Sequence, residues 1–180
     1  MSIQIANYQG IGWVSRAIKL LTYSQYSHTA ALFADDMEVV VNGKTHYIAS
    51  GTVIEAWKGG VRVASSIAEN HVPRTKVDIF ALKSPLTGEQ EQRVARCLIE
   101  HIGTKYSYWN VLRFVPIVRI FMLDPPPFAY TRTHVFCSEL VLESFARAPV
   151  LLLERCKFFE VPPRDPPRSP LLRFVRQETC

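Results

Sequence analysis

Hydrophobic and polar positions follow a strand-like pattern in the first half of the chain. Between residues 28 and 83, short apolar runs alternate with turn signals. The strongest of these signals is Asn42-Gly43, a pair that accepts the positive φ angles of a tight hairpin turn. The runs of strand length cover residues 28–34, 37–41, 46–49, 52–57, 61–65 and 76–82. This region therefore predicts an antiparallel β meander of about five strands.

Apolar positions three or four residues apart occur on both sides of this meander and predict helices. Residues 11–22 predict a short helix before it. Residues 87–103 form the clearest helix in the sequence, and residues 106–112 predict a second one that Pro116 ends. A last amphipathic helix is predicted over residues 137–145.

These patterns predict one α+β domain over residues 1–180, with an antiparallel sheet or small barrel packed against helices. The helical half covers about residues 87–148, and residues 124–128 predict a rigid loop because three of them are prolines. The tail, residues 149–180, is also rich in proline. We therefore expect it to form an extended strap over the domain.

Composition and charge exclude several classes of protein. The chain is 48% hydrophobic and 21% charged, which is typical of a globular domain. Its net charge of +5 is spread along the chain, and no basic stripe interleaved with aromatic residues predicts nucleic-acid binding. The four cysteines form no Cys-x-x-Cys pair, which argues against a structural zinc site and a disulfide framework.

The sequence shows neither a signal peptide nor an apolar run of about 18 residues that could span a membrane. We therefore expect a cytoplasmic location and no transmembrane segment. Peripheral membrane contact stays open, as does export without a leader or by lysis. The sequence does not predict the oligomeric state.

Cys137 is the first candidate for chemistry, because it lies at the start of the predicted helix 137–145. A thiol there faces unpaired backbone N–H groups and the positive end of the helix dipole, and both favour the thiolate. The alternative is a buried structural cysteine, since free cysteines are among the most buried residues.

A nucleophilic thiol needs a base, and His28 is the best placed of the five histidines. It opens an apolar strand, so it would stand on a rigid element whose end is open to solvent. His134 is near Cys137 in sequence, but we expect its side chain to leave the turn in another direction. His101 is expected to cap a helix, and His71 to lie on a surface loop.

Glu55 is the candidate for the group that orients the base. It interrupts an apolar strand, and a buried carboxylate needs a partner such as a histidine on a neighbouring strand. The alternative is that Glu55 points outward at a sheet edge. In that case His46 would be the alternative orienting residue.

Three segments together resemble a known family: residues 27–32 (Ser-His-Thr-Ala-Ala-Leu), 53–56 (Val-Ile-Glu-Ala) and 136–141 (Phe-Cys-Ser-Glu-Leu-Val). Their order, with histidine first and cysteine on a late helix, is similar to the circularly permuted papain-like branch of the NlpC superfamily. The YiiX/YaeF type, related to lecithin–retinol acyltransferase-like proteins, is the best match. Residues 105–108 and 167–172 resemble further segments of that type.

The resemblance implies that Cys137 is the nucleophile, His28 the base and Glu55 the residue that orients it. It also implies that Tyr26 or Tyr106 flanks the site and helps the Cys137 backbone N–H to form an oxyanion hole. Ser138, directly after the nucleophile, joins the two tyrosines as a predicted substrate-binding residue.

The predicted function is hydrolysis of amide bonds through an acyl-enzyme, on a small peptide such as a cell-wall peptide or on an N-acyl amino acid. No metal and no organic cofactor is expected. Two alternatives stay open: an acyltransferase or thioesterase that acts on lipid acyl groups, and an inactive binding module of the same fold. Residues 114–128 would favour the first alternative if they formed a lipid-facing lid.

Overall fold

The computed structural model describes residues 3–107, 134–153 and 161–180, and these form an antiparallel sheet packed against helices. The α+β class predicted from the sequence is therefore confirmed. The strands are β1 (Ile3–Gln9), β2 (His28–Phe33), β3 (Met37–Val41), β4 (Lys44–Ile48), β5 (Val53–Trp57), β6 (Gly60–Ala64), β7 (Lys76–Leu82), β8 (Lys105–Tyr106), β9 (His134–Val135) and β10 (Leu172–Thr179). The helices are α1 (Trp13–Thr22), α2 (Gly88–Glu100) and α3 (Cys137–Ala146).

Six strands form the main sheet in the order β10-β7-β1-β2-β5-β6, and every neighbouring pair is antiparallel. Strand β1, near the centre of this order, was not predicted. Ile5 contributes to the core on one face of β1, whereas Ala6 and Tyr8 contribute to a second apolar cluster. A strand buried on both faces lacks the polar alternation by which a strand is recognised in a sequence.

The predicted meander is correct in its strands but not in how they pair. Strands β3 and β4 form a hairpin of their own around Asn42 and Gly43, which take φ angles of 50° and 75°. Strand β7 pairs with β1 and β10 instead of β6. The chain therefore leaves the sheet at one edge and returns near the opposite one.

Helix α2 begins with a capping box, in which Thr87 and Gln90 each accept a hydrogen bond from the other's backbone N–H. Helix α3 packs against α2 and across β2 and β5, and its apolar residues lie in the main core. Helix α1 differs from both, since Thr22 is its one buried residue. Among the described residues, no helix has the length and hydrophobicity needed to cross a membrane.

One prediction for the second half of the chain needs correction. Tyr106 lies in strand β8, which pairs in parallel with β9, and not in the helix predicted over residues 106–112. The remainder of that helix and the loop 124–128 lie outside the described residues. In the tail, expected to be extended, a 3-10 turn, Pro166–Arg168, precedes the edge strand β10.

Gly60 holds β6 close to the segment that leads into β8. Its φ angle is +145°, and a Cβ atom there would lie 2.6 Å from the carbonyl oxygen of Thr104. We expect Gly60→Ala to lower the free energy of unfolding by about 3 kcal/mol, through backbone strain and this clash. Gly59→Ala is the control: φ is +98° with no atom nearby, so strain alone should cost about 1 kcal/mol. Urea denaturation measures both, and equal losses would contradict the role of the clash.

Candidate active site

Three structural elements bring the predicted catalytic residues together. His28 is the first residue of β2, Glu55 is the central residue of the neighbouring β5, and Cys137 is the first residue of α3. Because α3 packs across β2 and β5, its N-terminus reaches the end of the sheet where β2 begins. All three side chains belong to residues that are at most 3% exposed.

Glu55 is fully buried and its carboxylate is shared among three partners. Oε2 lies 2.8 Å from Nε2 of His28 and 3.1 Å from Nε2 of His71, while Oε1 accepts hydrogen bonds from Nε and Nη2 of Arg62. Burial by itself would raise the pKa of Glu55, but the two histidines hold it well below its usual range. The alternative of an outward-pointing Glu55 is therefore wrong.

His28 links this carboxylate to the cysteine. Burial lowers its pKa, but hydrogen bonds to Cys137 and Glu55, and the negative charges of both, raise the pKa to about 9. Since Nε2 faces Glu55, Nδ1 is the nitrogen left for the Cys137 thiol. The thiol stands on the first residue of α3, where the helix dipole favours negative charge.

His71 is the member of this site that the sequence analysis placed wrongly. Its side chain is 4% exposed, whereas we had expected a residue on a surface loop. Its ring stacks on Tyr8, with 4.0 Å between centroids and 17° between planes. Burial and the charge of His28 lower the pKa of His71 despite its contact with Glu55. No local pattern in the sequence signals this position, because a long loop carries the residue to Glu55.

Aromatic rings surround the two histidines. Trp57 meets both in edge-on geometry, with centroid distances of 4.8 Å to His28 and 4.7 Å to His71. Tyr8 lies 5.3 Å from the ring of His28 and is 1% exposed. This enclosure lowers the local dielectric constant and strengthens the hydrogen bonds to Glu55.

A cavity of about 480 Å³ opens beside His28 and His71. Tyr106, Ser27 and Lys58 contribute polar groups to its wall. Most of the remaining wall is apolar and comes from α1, the neighbouring loops and the end of β5: Ile11, Trp13, Val14, Ile18, Val72 and Trp57. The site can therefore accept a molecule that presents an apolar group beside His28.

Only one of the three predicted substrate-binding residues lies in the wall of this cavity. Tyr106 lies in the cavity wall, as expected for a flanking tyrosine. Tyr26 does not: its hydroxyl donates to Oδ2 of Asp78 at 2.7 Å, and it lies in the apolar core. Ser138 is fully buried, and its hydroxyl donates to the carbonyl oxygen of Val161. These two residues therefore have structural partners that sequence reasoning did not anticipate.

The other two histidine alternatives lie elsewhere. His46 is on the β3–β4 hairpin, opposite Val39. The two histidines that contact Glu55 are His28, on β2, and His71, in the loop after β6. His101 is the C-terminal cap residue of α2, and its Nδ1 lies 2.8 Å from the carbonyl oxygen of Cys97. This position agrees with the capping interpretation.

Comparison with known proteins assigns the fold. A scan against protein-family models and a search of curated proteins found no match. The chain is similar to the crystal structure of the metalloprotein YiiX from Escherichia coli O157:H7 (DUF1105), with a TM-score of 0.62 and 18% sequence identity. The alignment covers 99% of this chain and 97% of the neighbour. The chain has the YiiX fold.

The YiiX-type resemblance seen in the sequence therefore holds at the level of the fold. The antiparallel sheet packed against the cysteine-bearing helix α3 is part of that fold. The relation to lecithin–retinol acyltransferase-like proteins stays a prediction.

We expect Glu55→Gln to lower the free energy of unfolding by about 3 kcal/mol at pH 7, because it leaves Arg62 and two histidines without their anion. The folded protein lowers the pKa of Glu55, so the stabilisation is present above about pH 4.5 and declines as the pH falls. Urea denaturation from about pH 2 to 7 should show a constant difference between the two proteins above about pH 5, and a difference that shrinks as the pH falls below about 4.5. Glu89→Gln, on the exposed surface of α2, should change stability by less than about 0.5 kcal/mol. A difference that does not vary with pH would contradict this account.

Proposed function

We propose that the chain is a thiol hydrolase of amide bonds, with Cys137 as nucleophile, His28 as general base and Glu55 as the residue that orients His28. The observation that carries this proposal is the buried hydrogen-bonded series from Cys137 through His28 to Glu55. A nucleophile, a base in contact with it and a third group that holds the base are what thiol catalysis requires.

In the first half of the reaction, Nδ1 of His28 takes the proton of the Cys137 thiol and the sulfur attacks the substrate carbonyl carbon. The oxyanion that forms would accept hydrogen bonds from backbone N–H groups at the start of α3, including that of Cys137. His28 then gives its proton to the leaving nitrogen, and an amine departs. A thioester on Cys137 is left.

In the second half, His28 removes a proton from water and the hydroxide oxygen attacks the thioester. Collapse of the intermediate breaks the carbon–sulfur bond, and the thiolate regains its proton from His28. Throughout, Glu55 stabilises the imidazolium and fixes the ring, and Arg62 in turn fixes Glu55. Cell-wall peptides and N-acyl amino acids are the first amide substrates to screen.

The reactivity of Cys137 tests this assignment without a known substrate. We expect iodoacetamide to alkylate Cys137 rapidly well below pH 8, because a helix N-terminus and a neighbouring imidazole both favour the thiolate form of a cysteine. His28→Ala should slow this reaction at least about tenfold. Mass spectrometry of each cysteine, from pH 5 to 9, measures the rates, and Cys180 serves as an internal reference. If the alkylation rate of Cys137 has the same pH dependence as that of Cys180 in both proteins, the site is inactive and the binding module is the correct interpretation.

The apolar cavity favours a second candidate, an acyltransferase or thioesterase that uses the same thioester. Its wall presents apolar side chains from α1 directly beside His28. Trp13, which belongs to this wall, is 83% exposed. A lipid acyl group would bury this surface. Exchange of a labelled acyl chain between donor and acceptor amines separates transfer from hydrolysis.

A cavity-filling variant tests the acyl preference. Ile18 lines the cavity, whereas Leu20 lies on the same helix outside its wall. We expect Ile18→Trp to lower kcat/KM for a long-chain acyl substrate by about tenfold or more, and to affect an acetyl substrate little. Leu20→Trp should leave both values unchanged. Equal losses on the two substrates with Ile18→Trp would contradict an acyl-binding cavity.

The E. coli neighbour is described as a metalloprotein, so metal-dependent hydrolysis is the rival mechanism on this fold. The contact between Cys137 and His28 favours thiol chemistry instead. Activity that persists after treatment with EDTA would support the thiol mechanism, and activity that returns only with added metal would overturn it.

A further inference from the structure

We propose that His28, Glu55 and His71 form a binding site for a zinc-like divalent ion, and that this ion and thiol catalysis exclude each other. Three side chains converge here although the proposed reaction needs two of them. The binding site stands on its own geometry. The exclusion rests on the proposed function, since it concerns the proton that His28 must accept.

The donor atoms are arranged closely enough to share one ion. Nε2 of His28, Nε2 of His71 and a carboxylate oxygen of Glu55 all lie within 4.8 Å of one another. Two ligands at about 2.0–2.2 Å from a tetrahedral zinc ion lie roughly 3.4 Å apart. The present separations of 2.8 Å and 3.1 Å from Oε2 of Glu55 would therefore need to widen by about 0.6 Å and about 0.3 Å.

The surrounding residues already hold these ligands in place. Arg62 binds Oε1 of Glu55 and leaves Oε2 to face the two histidines. Tyr8 stacks on His71 and fixes the plane of its ring. Such outer contacts orient the ligands of natural metal sites. The positive charge of Arg62 also opposes a cation, so we expect moderate rather than very tight binding.

The cavity gives an ion a path to the site. His28 and His71 both line it, so their ring edges are reached from the same open space although their side chains are almost fully buried. That space also has room for a water molecule as a fourth ligand. A buried donor set and an access route are therefore present together.

The donor types select the class of ion. Two imidazole nitrogens and one carboxylate oxygen suit Zn²⁺, Co²⁺ and Ni²⁺. Mg²⁺ and Ca²⁺ prefer sets made of oxygen ligands only. We therefore expect these three transition metals to bind and Mg²⁺ to bind far more weakly.

Binding would change what His28 can do for Cys137. An ion on Nε2 requires that nitrogen to be deprotonated, and the displaced proton leaves to solvent. The neutral ring then carries its one proton on Nδ1, the nitrogen left for the thiol. His28 can donate this proton but cannot accept another, so it no longer acts as the base for Cys137.

Metal binding is measured directly by calorimetric titration with Zn²⁺ and by the visible absorption of bound Co²⁺. We expect one ion per chain in the wild type and in Cys137→Ala, since the thiol is not a ligand. His71→Gln should weaken binding at least about tenfold, because it keeps a polar side chain but removes one ligand. His46→Ala, on the β3–β4 hairpin, should bind as the wild type does. A thermal melt of each variant shows that it is folded.

Three results of this titration would overturn the proposed site. Loss of binding in Cys137→Ala would place the ion on the thiolate instead. Unchanged binding in folded His71→Gln would show that His71 is not a ligand. No binding to the wild type would show that the proposed metal site does not exist. None of these outcomes depends on whether the chain is a hydrolase.

The exclusion is measured by alkylation of Cys137 with and without Zn²⁺. We expect Zn²⁺ to slow alkylation of the wild type at least about tenfold, and the same concentration to have little effect on His71→Gln. Equal slowing in both proteins would show that Zn²⁺ acts on the thiol directly and would overturn the exclusion. If Cys137 is unreactive even without Zn²⁺, the proposed function fails while the titration still decides the metal site.

Discussion

The buried carboxylate of Glu55 is the constraint on which the rest of this structure depends. A charge in the interior must have partners, and Glu55 has three: His28, His71 and Arg62. These partners come from β2, from the loop after β6 and from β6 itself. One anion therefore ties together the segments that form the site, and it places the imidazole of His28 next to Cys137.

The topology of the sheet explains why this arrangement is possible. Strands β2 and β5 are neighbours in space although the hairpin β3–β4 separates them in sequence. Helix α3 packs on both and directs its N-terminus, the end that favours an anion, toward the start of β2. The start of β2, the centre of β5 and the start of α3 thus meet at one edge of the core. Such a meeting of rigid elements holds a reactive group more firmly than loops can.

Under the two proposals, the same cluster would serve two kinds of chemistry, because imidazole is both a base and a metal ligand. Which of the two His28 performs depends on what occupies Nε2, a proton shared with Glu55 or an ion. In the proposed site His71 favours metal binding, since it adds a third ligand atom to those of His28 and Glu55.

The local pattern of the sequence was sufficient for most helices and strands, and it singled out Cys137, His28 and Glu55, which the structure brings together. Each of these three residues stands out against its neighbours: a thiol at a helix start, a histidine at a strand start and an acid within an apolar strand. The pattern was insufficient for β1, which is buried on both faces, and for Tyr26 and Ser138, whose partners Asp78 and Val161 are distant in sequence. The largest error was His71, which was expected on a surface loop and instead lies almost fully buried against Glu55.

What the sequence determined by itself is most of the helices and strands and the chemical type of the candidate site residues, because both follow from interactions between residues close along the chain. What only the tertiary structure decided is the pairing of β7 with β1, the contact of His71 with Glu55 and the apolar wall beside His28. These depend on how distant segments share buried space. The free energy of burying one carboxylate depends on all its partners at once. Because those partners lie far apart along the chain, a local sequence pattern cannot predict it.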